Sequence, residues 1–242
     1  MAISSSPSRA DWLYRALVAG FVGTACAGFV LLLAYGASSW IGQAMPPGAI
    51  GQWFVALTRN QATAMVQDAL ARALLLHIFV GLVWALVYAG YAEPRLSGPG
   101  WRRGMLFALV PWILSLVVFL PLIGGGFLGL GLGAGPLPII GNLILHLVFG
   151  ATLGEVYELE LAESTEVAAH PGSLTHLANI SAERGLAAGM VAGAVAGAVV
   201  GLLFATFTGN GTVPMTVGAL AGAVFGAAGG ALVGSFVGLS RA

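Results

Sequence analysis

The sequence predicts an all-α integral membrane bundle of six transmembrane helices, arranged as three repeated hairpins with both termini cytoplasmic. Three observations carry this. Of 242 residues, 58% are hydrophobic and only 7% charged, against about 25% charged in a soluble domain. Six runs are long enough to cross a hydrocarbon layer about 30 Å thick. Small and polar residues also recur at matching places in successive runs.

The charge balance narrows the function classes. Nine arginines and nine acids cancel, and there is no lysine. A chain so poor in charge cannot clothe a surface facing water, and the lipid bilayer is its expected surrounding. It has no basic face for nucleic acid. Cys26 is the only cysteine, which excludes a disulfide framework.

The spans are placed near residues 14–36, 72–92, 104–123, 137–157, 185–207 and 214–238. Each run is apolar on all sides, unlike the alternating strands of a membrane barrel. The first apolar stretch, from Ala16 to Leu33, exceeds the roughly 7–15 residues of a signal h-region and reads as a retained span. With six spans, Arg9, Arg15, Arg95, Arg102, Arg103, Arg184 and Arg241 fall on one side and only Arg59 and Arg72 on the other. Arginine excess marks the cytoplasmic side, so the expectation is a multi-pass protein of a bacterial inner membrane. Tyr88 and Tyr157, with Trp12, Tyr14, Tyr91 and Trp101, read as interfacial anchors on that side. Trp40 and Trp53 mark the outer surface.

Three units follow: a four-helix membrane unit over 1–160, an acidic cytoplasmic loop over 161–183, and a glycine-ladder hairpin over 184–242. The external segment 39–71 opens on the turn signal Met45-Pro46-Pro47-Gly48. It is expected to continue as an interfacial helix from Gln52 to Arg72, with Asp68 and Arg72 spaced to pair at i,i+4. The stretch Ile123–Pro138 has seven glycines and no charge, which places it among headgroups or against another protein. Glu155, Glu158, Glu160, Glu163, Glu166 and Glu183 make the cytoplasmic segment 155–183 the one strongly acidic stretch: a solvated loop or short helix, or a docking face for a basic partner.

The repeat is clearest in spans two and four. Leu74-Leu75-Leu76-His77-Ile78-Phe79-Val80-Gly81 matches Leu143-Ile144-Leu145-His146-Leu147-Val148-Phe149-Gly150 at an offset of 69, continuing to Tyr88 and Tyr157. Histidine, glycine four later and tyrosine eleven later share one helix face. Arginine opens the odd spans at Arg15, Arg103 and Arg184. Span five matches span one at an offset of 169, as in Gly20/Gly189 and Gly28/Gly197. In the third hairpin the histidine and tyrosine positions are Gly222 and Val233. Unbroken ladders spaced by four replace them: Gly185, Gly189, Gly193, Gly197 and Gly201, then Gly218, Gly222, Gly226, Gly230, Gly234 and Gly238. Such spacing brings helices close in lipid, within the chain or against another subunit.

His77 and His146 are the candidate cofactor-binding residues, because ionisable groups in membrane spans are costly. Gly81 and Gly150 would leave room for a flat ring beside each imidazole. Haem b or a chlorophyll-type pigment fits that pattern. The alternatives are neutral histidines hydrogen-bonded to a carbonyl or hydroxyl, or a proton relay. Glu155 is the one carboxylate placed to be buried, Asn142 reads as helix–helix glue, and Pro111 and Pro121 are positions for a kink. No catalytic set and no metal-ligand motif is recognisable.

The segments Arg103-Gly104-Met105-Leu106-Phe107-Ala108, Pro121-Leu122-Ile123-Gly124-Gly125-Gly126-Phe127-Leu128-Gly129 and Leu145-His146-Leu147-Val148-Phe149-Gly150, with Val156-Tyr157, resemble an uncharacterised family of bacterial four-helix membrane proteins. That family is a domain of unknown function similar to the YagU-like inner-membrane proteins. The resemblance spans roughly residues 11–160. It implies a helical membrane fold and a histidine at the places of His77 and His146, and it implies no activity. The third hairpin departs from it as an extension. The expected function is a non-catalytic accessory or scaffold subunit of a larger membrane complex, respiratory or photosynthetic, with other membrane subunits as partners. The alternative is a small-solute or ion transporter.

Overall fold

The computed structural model describes residues 9–169, 174–207 and 215–239. They are helical, with no strand among them. The order is α1 (Arg9–Ala44), α2 (Ala49–Thr58), α3 (Gln61–Asp68), α4 (Leu70–Val87), α5 (Gly100–Leu114), α6 (Leu120–Leu122), α7 (Leu137–Ala169), α8 (Leu174–Phe207) and α9 (Met215–Leu239). Six stretches are long and apolar enough to cross a membrane: Trp12–Ala44, Leu70–Arg95, Gly100–Leu122, Leu137–Ala162, Ala188–Thr206 and Ala221–Gly238. Their bulky outward residues, such as Leu75, Phe79, Phe204 and Phe236, are exposed, as a surface facing lipid requires.

The helix expected over 52–72 is three helices. Asn60 leaves the helical region (φ −136°) and caps α3: its side chain accepts from the Thr63 N–H, while Thr63 Oγ1 accepts from the Asn60 N–H. Such a box satisfies two of the donors that a helix start leaves open. Ala69 (φ −134°) turns the chain again before α4. Asp68 and Arg72 therefore stand on different helices, and no ion pair joins them among the described residues.

The acidic stretch is likewise not a simple loop. α7 continues unbroken to Ala169 and α8 begins at Leu174. Glu, Leu and Ala are strong helix formers, so the helix persists beyond its apolar part. Residues 170–173, with His170, lie outside the described residues, as does Arg241.

Span three follows the proline expectation in part. Pro111 sits buried inside α5, and a wide π turn over Ser115–Phe119 follows before α6. A proline removes one backbone donor and crowds the preceding turn. Beyond α6, the glycine-rich stretch takes left-handed backbone at Gly124, Gly126, Gly129, Gly133 and Gly135, and at Leu128 (φ 56°). It is partly covered by its own chain: Gly135 lies under the Trp53 indole and Gly124 beside Gln61.

The chain forms two compact units, one ending at Leu159 and the other beginning at Glu160. In the first, α1 and α4 run antiparallel, with Gly20 opposite Ala85, Thr24 opposite Gly81 and Gly28 opposite His77. α5 and α7 do the same, with Gly100 opposite Gly154 and Gly104 opposite Gly150. In the second, the two glycine ladders meet each other. Gly185, Gly189, Gly193, Gly197 and Gly201 face Gly234, Gly230, Gly226, Gly222 and Gly218 in antiparallel order.

At each rung of the two ladders an added methyl would strike the opposing backbone; at Gly193 it would meet the Gly226 carbonyl oxygen. Gly193→Ala should therefore lower stability by about 1–3 kcal/mol, the usual penalty for overpacking. Gly229→Ala meets open space and should be neutral, or gain up to about 1 kcal/mol from better helix propensity. Unfolding of the detergent-solubilised protein, followed by circular dichroism, compares the two.

Candidate functional site

Two groups of polar side chains stand out in the first unit. One is the histidine pair. His77 on α4 reaches α1, with Nε2 3.3 Å from the Thr24 carbonyl oxygen. His146 on α7 turns back on its own helix, with Nδ1 2.9 Å from the Asn142 carbonyl oxygen. A carbonyl only accepts, so each ring nitrogen in contact carries the proton. The lone pair is then on Nδ1 of His77 and on Nε2 of His146. His77 is exposed.

The room expected beside these rings is taken. Thr24 of α1 fills the notch at Gly81, and its hydroxyl donates to the Gly20 carbonyl (2.6 Å). The backbone of Gly104 and the Ala108 methyl fill the notch at Gly150. A macrocycle cannot lie against either glycine while these helix pairs stay together. The glycines admit neighbouring helices, which is the other use of small residues in lipid. Asn142 joins α7 to α5, accepting from the Ser115 hydroxyl (2.9 Å).

The second group was missed as a group by the sequence reading. Tyr88 and Tyr157, expected as interfacial anchors, are buried, at 0% and 3% exposed. Their rings meet edge to face at 5.8 Å, and Tyr88 also packs on Phe107 at 5.3 Å. Arg15 of α1, 4% exposed, lies over the Tyr157 ring at 5.9 Å. Arg103 of α5 pairs with Glu93 at 2.6 Å and approaches Glu158 of α7 at 3.5 Å.

Glu158 also accepts from the Gly100 N–H, and Glu155 accepts from the Trp101 N–H at 3.2 Å. The start of α5 has no side-chain cap of its own. The two carboxylates of α7 therefore satisfy the donors there and oppose the positive end of the helix. Glu155, expected to be the buried acid, is exposed; Glu93 and Glu158 are the half-buried ones. Tyr91 and Trp101 remain exposed.

Two arginines and two inward glutamates thus tie the chain segments of α1, α4, α5 and α7 together at one end of the unit. A signal was available: Gly150, Gly154 and Glu158 form one row spaced by four, so the face that meets α5 continues into the carboxylate. The Tyr88 hydroxyl has no hydrogen-bond partner among the described residues. Its ring contacts, and not its hydroxyl, account for its place in the core.

Two outcomes follow. Arg103→Gln leaves half-buried Glu93 without its cation and should cost about 1–3 kcal/mol, between the losses for an exposed and a fully buried pair. Adding Glu93→Gln should restore part of the loss. Tyr88→Phe keeps the ring contacts and should hold stability within about 1 kcal/mol, whereas Tyr88→Ala should lose about 3–5 kcal/mol. Equal losses for Phe and Ala would show that the hydroxyl is engaged.

A family of unknown function (DUF6789) matches residues 11–169, which contain both groups. No curated protein and no solved structure matches the chain.

Proposed function

We propose that this chain, which belongs to the DUF6789 family of unknown function, is a non-catalytic accessory subunit of a larger membrane complex. The observation that carries the reading is the division of residue types between seam and surface. Small residues are used in contact between antiparallel helices, while long apolar faces such as Val191, Val195, Phe204, Leu232 and Phe236 point outward. Such a body offers neighbours a rigid apolar surface, and its polar side chains are used in holding itself together.

Three hairpins of one design, with the third stripped of histidine and tyrosine, fit a scaffold enlarged by duplication. We place it in a bacterial inner membrane with both termini cytoplasmic, following the arginine distribution. An energy-transducing complex is the setting we favour.

Within that reading the histidines are structural. Each donates to a backbone carbonyl, and the filled notches at Gly81 and Gly150 disfavour a haem or pigment gripped between them. The transporter reading draws on the buried Arg15–Tyr157 contact and the half-buried Arg103–Glu93 pair. It requires liposome flux that His77→Ala or Glu155→Gln abolishes.

Mild extraction from native membranes tests the proposal. The expected result is a stoichiometric assembly larger than the 24.5 kDa chain, with no Soret band in oxidised or reduced spectra. A stable monodisperse monomer would overturn the subunit reading. A Soret band removed by His146→Ala or His77→Ala would overturn the structural role of the histidines.

A further inference from the structure

An open cleft of about 530 Å³ lies at the far end of the first unit from the arginine–tyrosine group. It is lined by Tyr35 of α1, Arg59 and Asn60 of the α2–α3 turn, and Gln61, Thr63 and Gln67 of α3. Its volume falls in the range of about 300–1,000 Å³ typical of ligand sites.

Hydrogen-bond accounting separates its groups. Thr63 and Asn60 serve the α3 cap, and the Asn60 amide donates to Ala56 and Leu57 carbonyls. Thr58 donates to carbonyls of its own helix. Gln67 donates to the Tyr35 hydroxyl oxygen at 3.1 Å, which leaves the phenolic O–H to donate elsewhere. Arg59 and Gln61 are exposed, and neither side chain has an ion-pair or hydrogen-bond partner among the described residues.

Three uncommitted donor groups therefore line one concavity: a guanidinium, an amide and a phenol. Their common complement is an oxyanion, and a guanidinium fork matches phosphate oxygens two at a time. One helical turn below Tyr35, Leu31 and Leu32 are exposed on the same side of α1. A ligand with an anionic head and an apolar tail would reach both. We propose that this cleft binds a phosphate group, carried by a lipid headgroup or free in solution, with Arg59 as its principal ligand and Gln61 and Tyr35 as supporting donors. The proposal is independent of the subunit reading.

The test uses the full-length chain in mild detergent. Native mass spectrometry measures retention of phosphatidylglycerol against diacylglycerol, and thermal unfolding measures the effect of inorganic phosphate. For a lipid ligand, wild type retains phosphatidylglycerol over diacylglycerol, Arg59→Gln lowers retention at least fivefold, and Gln61→Ala lowers it less. For a free anion, millimolar phosphate raises the wild-type Tm by several degrees and leaves Arg59→Gln unmoved, with lipid retention equal in both. Arg72→Gln, an exposed cation outside the cleft, should match wild type in both arms. Arg59→Gln indistinguishable from wild type in both arms, or Arg72→Gln equal to Arg59→Gln, overturns the assignment.

Discussion

Helices in a bilayer gain nothing by hiding apolar surface from one another, because the lipid is as apolar as they are. Something else must hold them, and here it is contact between backbones at small residues spaced by four. Every other feature of the molecule follows from that constraint. It sets the antiparallel registers of α5 with α7 and of α8 with α9, while α1 and α4 meet through the Ala85, Thr24 and His77 side chains set against glycines. It pushes bulky side chains outward, where they face lipid or neighbours. It also leaves little room inside a seam for anything but another helix: Thr24 fills the notch at Gly81, and Gly104 with Ala108 fills the one at Gly150.

Close seam contacts recur in all three helix pairs. Gly20 meets Ala85 in the first, Gly100 meets Gly154 in the second and Gly189 meets Gly230 in the third. His77 faces Gly28 across the first seam, and Gly222 faces Gly197 across the third. Arg103, in the first turn of α5, reaches Glu93 and Glu158. Ionic contact at one end and backbone contact along the seam are therefore complementary: the first ties several helices at a point, the second joins them in pairs along their length.

Much of the fold was legible in the sequence because its physical causes are periodic. Span length and hydropathy mark six helices, and a glycine every fourth residue marks a seam. What a period cannot show is which helix fills the seam, so the pairing of the two ladders was open until the structure placed them together. The breaks at Asn60 and Ala69 were hidden because a cap and a turn are local events inside an apolar run. Tyr88 and Tyr157 were misjudged because a tyrosine at a span end normally seeks the interface; here the rings are covered by Arg15, Phe107 and each other. Glu155 and Glu158 both reach the start of α5, and only Glu158 continues the row of Gly150 and Gly154. His77 and His146 were rightly singled out as unusual, yet their carbonyl partners, Thr24 and Asn142, depend on side-chain directions that no spacing reveals.

The central claim is that backbones touch along the seams. Magic-angle-spinning NMR on the full-length chain in bilayers, with glycine carbonyl and α-carbons labelled selectively, measures this directly. The account predicts short-range cross-peaks between residues distant in sequence, such as Gly193 with Gly226 and Gly104 with Gly150. Cross-peaks confined to glycines that are neighbours in sequence would contradict it and would mean that side chains or lipid separate the helices.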